Sequence, residues 1–229
     1  MLAITTKEAE EICDAVQKSG VKFVISYHHK TNPGLILAKQ MVESGKLGMV
    51  TYARVRNAHN GSLADWLPPH FYDKEQCGGG AMMDLGAHPM YILLWLLGEP
   101  VKVSSAFTTV TGKPVEVNAV CILSYANGAV GVSETGFVSD YGNYVIEVIG
   151  TEGAVRIVDG NTMVASAATN NEFVAADLPE QAASPLNQWI QYVEENIPAP
   201  EFGVEEAVRL TRLMEAAYRA ADLDICARY

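Results

Sequence analysis

The spacing of apolar residues predicts a helix followed by a strand near the amino-terminal end of the chain. Thr5 and Glu8 have the spacing of a capping box, and apolar residues then recur at helical intervals as far as Gly20, a residue typical of helix ends. The apolar run 21–25 predicts a buried strand. A helix and a strand in this order are half of a parallel-sheet repeat, and no second repeat follows to supply a neighbouring strand. We therefore expect residues 1–33 to be the remnant of a larger domain.

The remaining residues, 34–229, have the pattern of an α+β domain. Helical periodicity predicts helices over 35–44, from the glycines at 78–80 to Leu97, over 186–196 and over 204–221. Strands are predicted over 49–58, 115–125, 130–137, 144–150, 154–158, 162–167 and 172–176, with a hairpin at Asn127-Gly128. Consecutive strands with segregated helices indicate a predominantly antiparallel, open-faced sheet with helices on one face.

The strand predicted over 115–125 is apolar on both sides. Val117 and Leu123 belong to one face, whereas Val120 and Ile122 belong to the other. A sheet that is apolar on both faces has to be covered on both, and the helices cover one of them. We therefore expect a second subunit on the other face, giving a homodimer or homotetramer.

The amino-acid composition disfavours some classes of binding partner and indicates the cellular compartment. The 229 residues include 16 Lys and Arg against 27 Asp and Glu, a net charge of −11, which disfavours nucleic acids and anionic membranes as partners. The four cysteines, among them Cys226, are isolated, as expected for reduced thiols. The longest apolar run, 90–97, is too short to span a bilayer, and the first residues lack a signal-peptide pattern. We expect a cytoplasmic protein.

Asp84 and His88 are the main candidates for catalysis. They are four residues apart, so on a helix they share one face. A carboxylate beside an imidazole suits acid–base chemistry, because the carboxylate orients the imidazole or the substrate and the histidine moves a proton near neutral pH. The structural alternative is that Asp84 complements a helix amino terminus and His88 is a core histidine. Pro89 is expected to kink a helix that begins at Gly80, because it removes a backbone bond to Leu85.

Candidate binding residues occur in three places. The segment 27–30, Tyr-His-His-Lys, follows the first predicted strand, and ligands of parallel sheets bind at the carboxyl ends of strands. We assign His28 to substrate and Tyr27 and Lys30 to a cofactor. Trp66, His70 and Tyr72, in the long loop 60–80, are candidates for a sugar pocket, because aromatic rings stack on the apolar faces of sugars. We assign Trp66, Tyr72 and Tyr144 to substrate. Solvated polar residues at 27–30 and packing roles for the aromatics remain the alternatives.

Four motifs in a fixed order carry a family resemblance. Residues 2–11 are similar to the helix that follows a Glu-Lys-Pro motif, 45–48 to a turn before the first sheet strand, and 149–153 to a late strand and turn. The segment 78–88, GGGAMMDLGAH, is similar to a triple-glycine, Asp, Gly and His signature. In these features the chain resembles the carboxyl-terminal two-thirds of the Gfo/Idh/MocA oxidoreductases.

The resemblance implies hydride transfer between NAD or NADP and a sugar, cyclitol or related hydroxyl compound. Residues 1–33 would be the remnant of the Rossmann domain, and 34–229 the substrate-binding and dimerisation domain. It also implies that His88 shuttles the hydroxyl proton and that Asp84 holds or polarises the substrate.

The sequence departs from the family pattern in ways that bear on activity. No glycine run fits G-x-G-x-x-G, because position 83 is Met, and the Glu-Lys-Pro lysine is not present. Lys30 stands where many relatives carry arginine. We expect the chain to be the substrate-side part of an oxidoreductase that is either truncated or has lost its activity. By itself the chain should be inactive and should bind no dinucleotide tightly. We also expect no metal ion. The alternatives are a non-catalytic ligand-binding or oligomerisation module, and a metal-dependent sugar isomerase or hydrolase with His28, His29, Asp84 and His88 as ligands.

Overall fold

The structure is a computed structural model that describes residues 1–222, 227 and 228. Its helices are α1 (Thr6–Ser19), α2 (Pro33–Glu43), α3 (Lys74–Cys77), α4 (Ala87–Leu97), α5 (Pro185–Glu195) and α6 (Val204–Asp222). Its strands are β1 (Val50–Ala58), β2 (Lys102–Thr108), β3 (Asn118–Ser124), β4 (Val130–Gly136), β5 (Tyr144–Gly150), β6 (Gly153–Val158), β7 (Asn161–Ser166), β8 (Val174–Ala175) and β9 (Ala227–Arg228). None of the helices in the described residues is long and apolar enough to cross a membrane.

The strands form one sheet in the order β8-β7-β6-β5-β1-β4-β3-β2-β9. β1 pairs in parallel with β4, and every other pairing is antiparallel. β1 reaches its central place because it inserts between β4 and β5, which are neighbours in sequence. The predicted α+β class and the predominantly antiparallel sheet are confirmed.

One face of the sheet is covered by α4 and α6, and the other is open. The alternation in β3 places Ala119, Cys121 and Leu123 in the core, each at most 1% exposed, which confirms the predicted inner face. On the outer face Val120 is 39% exposed and Ile122 is 47% exposed. The predicted second subunit on this face stays a prediction.

Ion pairs cross the outer face beside these apolar residues. Arg54 Nε lies 2.7 Å from Glu134 Oε1, and Arg156 Nε lies 2.8 Å from Glu147 Oε1. The register of β1, β4, β5 and β6 places these side chains on adjacent strands. The outer face therefore carries both exposed apolar side chains and charged side chains that are paired with each other.

The prediction of a buried strand over 21–25 is wrong. The segment lies outside the sheet, and Val21 is 56% exposed. The Ile25 N–H donates instead to the Phe202 carbonyl at 2.8 Å, so this segment is held by the loop before α6. The segment has the apolar composition of a strand, but within the described residues no strand lies beside it to complete the hydrogen-bond ladder. The assignment of 1–33 to a domain remnant stays a prediction.

Other boundaries also differ from the sequence predictions. β3 begins at Asn118, and the preceding Val115 and Val117 pack in a separate small cluster with Phe137. The strand predicted over 172–176 is reduced to β8. The helix predicted from Gly80 begins with a π-helical turn over Met82–Gly86 and continues as α4, so the helix is irregular just before Pro89. Cys13, Cys77 and Cys121 are free thiols, while Cys226 lies outside the described residues.

Candidate active site

Three imidazoles from two separate segments meet at one place in the fold. His28 and His29 lie in a 3-10 turn, His28–Thr31, that leads into α2, and His88 lies in the first turn of α4. The ring centroid of His88 is 5.3 Å from that of His28 and 5.1 Å from that of His29, and the two neighbouring rings are 4.1 Å apart. One nitrogen of each ring lies within 4.8 Å of the others. We call these three residues the histidine cluster.

Two tyrosine hydroxyls hold rings of the histidine cluster in place. His88 Nδ1 is 3.3 Å from the Tyr91 hydroxyl, and His29 Nδ1 is 3.2 Å from the Tyr144 hydroxyl. The Tyr91 hydroxyl also accepts the backbone N–H of His29 at 3.3 Å, so it ties the two segments together. Tyr27 stacks on Tyr91 with ring centroids 4.4 Å apart. These contacts use Nδ1 of His29 and of His88, and within the described residues Nε2 of neither ring has a hydrogen-bond partner in the protein.

Burial keeps two of the imidazoles uncharged. Desolvation, with a smaller contribution from His28, lowers the pKa of His29 to about 3 and that of His88 to about 4. Burial also raises the pKa of Tyr144 to about 12, so its hydroxyl stays protonated. Near neutral pH the cluster therefore presents two neutral rings, each with one nitrogen that accepts a proton or a hydrogen bond.

Asp84 lies in the π-helical turn that precedes His88, but it faces different neighbours. Its carboxylate interacts electrostatically with His59, and burial raises its pKa. Within the described residues no hydrogen bond or ion pair joins Asp84 to His88, and Asp84 is not among the three residues of the histidine cluster. The expectation that Asp84 orients the His88 imidazole directly has no contact to support it. The catalytic roles predicted for both residues stay predictions.

The triple glycine before this turn is fixed by one buried carboxylate. Glu116 Oε1 accepts hydrogen bonds from Gly80 N at 2.8 Å, from Met82 N at 3.0 Å and from the Tyr218 hydroxyl at 2.7 Å. A Cβ atom at Gly80 would lie 2.1 Å from the Glu116 carbonyl oxygen, and one at Gly79 would lie 2.0 Å from the Tyr218 hydroxyl. The close approach of the backbone therefore requires glycine at these positions. The glycine turn lies directly before the segment that carries Asp84 and His88.

The remaining predicted site residues are distributed around the fold. Tyr144 belongs to the site through His29, and Trp66, 55% exposed, donates its indole N–H to Asn60 Oδ1 at 3.0 Å. Tyr72 is buried in a small apolar cluster, where its ring lies under the Lys113 ammonium at 4.3 Å. The substrate assignments of these side chains stay predictions.

The two residues assigned to a cofactor, Tyr27 and Lys30, are buried and contact other parts of the chain. Lys30 is 3% exposed, and its Nζ donates to the Glu201 carbonyl at 2.8 Å and lies 3.7 Å from Glu206 Oε2. Tyr27 is 4% exposed. Both side chains are thus buried, and their assignment to a cofactor stays a prediction.

Sequence reasoning did not assign roles to Tyr91, Glu116 or Tyr218. Tyr91 follows His88 by three residues, a spacing that places the two side chains together on a helix and could have indicated the contact. Glu116 and Tyr218 carry no local signal, because their partners lie far away in sequence.

The fold is an α+β domain with an open-faced sheet, and the histidine cluster lies beside its glycine-rich turn. A sequence model of the GFO/IDH/MocA C-terminal domain matches residues 35–156, more than half of the chain. The chain belongs to the GFO/IDH/MocA family.

Two curated relatives are sugar dehydrogenases by name. Levoglucosan dehydrogenase of Pseudarthrobacter phenanthrenivorans is 28% identical in an alignment of 185 residues, and the match covers 67% of this chain and 46% of that protein. D-glucoside 3-dehydrogenase of Escherichia coli is 29% identical over 98 residues, which is 43% of this chain and 27% of that protein. The chain spans less than half the length of these curated relatives.

Solved structures share the fold at lower identity. Levoglucosan dehydrogenase in complex with NADH superposes with a TM-score of 0.87 at 19% identity, covering 99% of this chain and 71% of that one. Aldose-aldose oxidoreductase from Caulobacter crescentus complexed with glycerol also gives 0.87, at 21% identity, covering 100% of this chain and 70% of that one.

Proposed function

We propose that this chain is the substrate-side part of an NAD(P)-dependent oxidoreductase that acts on a sugar, cyclitol or related hydroxyl compound. The observation that carries the proposal is the pair of half-buried, uncharged imidazoles, His29 and His88, held by tyrosine hydroxyls beside the glycine-rich turn. Family membership and the names of the relatives support the substrate class.

His88 is the proton acceptor in this proposal. Oxidation of an alcohol removes a hydride from carbon and a proton from oxygen, and a neutral imidazole within hydrogen-bond reach takes that proton. The Tyr91 hydroxyl fixes the orientation of the ring through Nδ1, which leaves Nε2 to face the hydroxyl compound. His29, Tyr144 and the exposed His28 supply further hydrogen-bonding groups for a polyol.

The residues of this chain do not fit a dinucleotide. The sequence contains no G-x-G-x-x-G turn to hold a pyrophosphate, and Lys30 is engaged by Glu201 and Glu206. We propose that a separate nucleotide-binding domain supplies NAD or NADP. The non-catalytic alternative, a ligand-binding module, is favoured by the same observation and predicts polyol binding without turnover.

Calorimetric titration of the 229-residue chain with levoglucosan, methyl glucosides and myo-inositol tests the proposal. We expect at least one compound to bind with Kd in the millimolar range or tighter, and His88→Ala to weaken that binding at least about tenfold, because it removes one well-oriented hydrogen bond. Glu180→Ala, at an exposed position outside the cluster, should bind like the wild type.

Binding of none of these compounds, or equal binding by His88→Ala, would contradict the proposal. Catalysis is tested separately by joining the chain to the nucleotide-binding domain of levoglucosan dehydrogenase and following reduced nicotinamide. Turnover would support the oxidoreductase, whereas polyol binding without turnover would support the ligand-binding module.

A further inference from the structure

We propose that His28, His29 and His88 form a binding site for one zinc ion. The site would be built from three imidazole nitrogens, with the fourth position open to water or to a hydroxyl group of a ligand. Three protein ligands with an open position is the arrangement of zinc sites that bind exogenous molecules. The proposal concerns metal binding by the chain and does not depend on the proposed oxidoreductase activity.

The separation of the rings suits a shared tetrahedral ion. Imidazoles bound to one zinc ion at about 2.0–2.1 Å from nitrogen have ring centroids about 5 Å apart. The centroids of His28 and His29 lie 5.3 and 5.1 Å from that of His88. The neighbouring pair is closer, at 4.1 Å, because the two residues are adjacent in the chain. The exposed ring of His28 is the one that has to move slightly to equalise the three distances.

The tyrosines give two of the rings the support that metal-binding histidines need. A metal-binding histidine uses one ring nitrogen for the ion, and the other is held by a hydrogen bond that fixes the tautomer and the orientation of the ring. Tyr144 contacts Nδ1 of His29 and Tyr91 contacts Nδ1 of His88. Both rings therefore keep Nε2 for the ion, and both are oriented before the ion arrives.

The ligand set selects the class of ion. All three ligands are imidazoles, and Asp84 lies outside the group. Imidazole suits zinc and its transition-metal neighbours, whereas Mg²⁺ and Ca²⁺ require carboxylate and carbonyl oxygens. We therefore expect zinc to bind and magnesium not to bind.

Zinc at this site has a consequence for the chemistry proposed above. An imidazole nitrogen that coordinates the ion has no free electron pair to take a proton. Zinc binding and proton acceptance by His88 are therefore mutually exclusive, and zinc would act as an inhibitor of any reaction that uses His88 as a base.

Calorimetric titration of the untagged 229-residue chain with zinc chloride, in competition with a weak chelator, tests the site. We expect one zinc ion per chain with micromolar or tighter affinity, and no binding of magnesium chloride. His28→Gln and His88→Gln should each lower the affinity at least about tenfold, because each removes one ligand. Tyr144→Phe should lower it by about 10–100-fold, the range for residues that orient a metal ligand.

His70→Ala is the matched control. His70 is exposed and lies outside the histidine cluster. Its zinc affinity should equal that of the wild type. Because His28 is exposed, His28→Gln keeps the test informative if His88→Gln fails to fold.

Three results would overturn the proposal. They are a wild type that binds no zinc at micromolar concentration, a His28→Gln variant that binds zinc like the wild type, and a His70→Ala variant that loses as much affinity as the cluster variants.

Discussion

Removal of the Glu116 carboxylate should destabilise the glycine-rich turn and the whole domain. One oxygen of Glu116 accepts three hydrogen bonds, from two backbone amides and the Tyr218 hydroxyl, in a position that is 9% exposed. Hydrogen bonds to charged groups contribute about 1.5–3 kcal/mol each, and buried donors left without a partner cost about 1–3 kcal/mol each. These contributions overlap because they share one acceptor.

We expect Glu116→Ala to lower the free energy of unfolding by about 4 kcal/mol, a large part of the stability of a domain. Glu116→Gln should cost about half as much, because the amide carbonyl still accepts the bonds but without the charge that roughly doubles their strength. Tyr218→Phe removes one of the three bonds and should cost about 1.5–3 kcal/mol. Glu180→Ala, at an exposed position, should stay within about 0.5 kcal/mol of the wild type.

Equilibrium urea unfolding measures these differences, and hydrogen exchange at Gly80 and Met82 measures the local effect. Both amides should exchange faster in Glu116→Gln than in the wild type, since their acceptor is weakened. If Glu116→Ala costs no more than Glu180→Ala, or if the two amides keep their protection, the carboxylate does not hold the turn and the argument is refuted.

Three further predictions concern pH, assembly and the dinucleotide. Burial lowers the pKa of His29 to about 3 and that of His88 to about 4, from 6.5, so below pH 6.5 the folded state binds fewer protons than the unfolded state. Stability in urea titrations with a chelator present should therefore fall from about pH 6.5 to about pH 3, and less steeply in His88→Gln. Ile122→Asp should convert an oligomer to a monomer in light scattering, whereas Leu63→Asp, also exposed but outside the sheet, should not; a monomeric wild type would refute the assembly. Calorimetry with NADH should detect no binding at micromolar concentration, and clear binding would show that these 229 residues hold a dinucleotide.

The elements that depend on neighbours in sequence could be predicted from the sequence. The capping box at Thr5 and Glu8 begins α1, because both partners lie within one turn. The hairpin at Asn127-Gly128 joins β3 and β4 in register, and strict alternation predicted which side of β3 is buried. The motif 78–88 identified the segment that carries His88, and with it the family.

The elements that depend on distant partners required the tertiary structure. The apolar run 21–25 is not a strand, because strand formation needs a hydrogen-bonded neighbour that composition does not reveal. The role of Glu116 is likewise not visible in the sequence, because its three hydrogen-bond donors come from two other segments of the chain. The histidine cluster joins residues 60 positions apart, and Tyr144 reaches it from β5, so their chemistry follows from how the sheet and α4 bring them together. Local sequence patterns determine helices and hairpins because the stabilising contacts join residues only a few positions apart. A site is formed by contacts between distant residues, which exist only once the chain has folded.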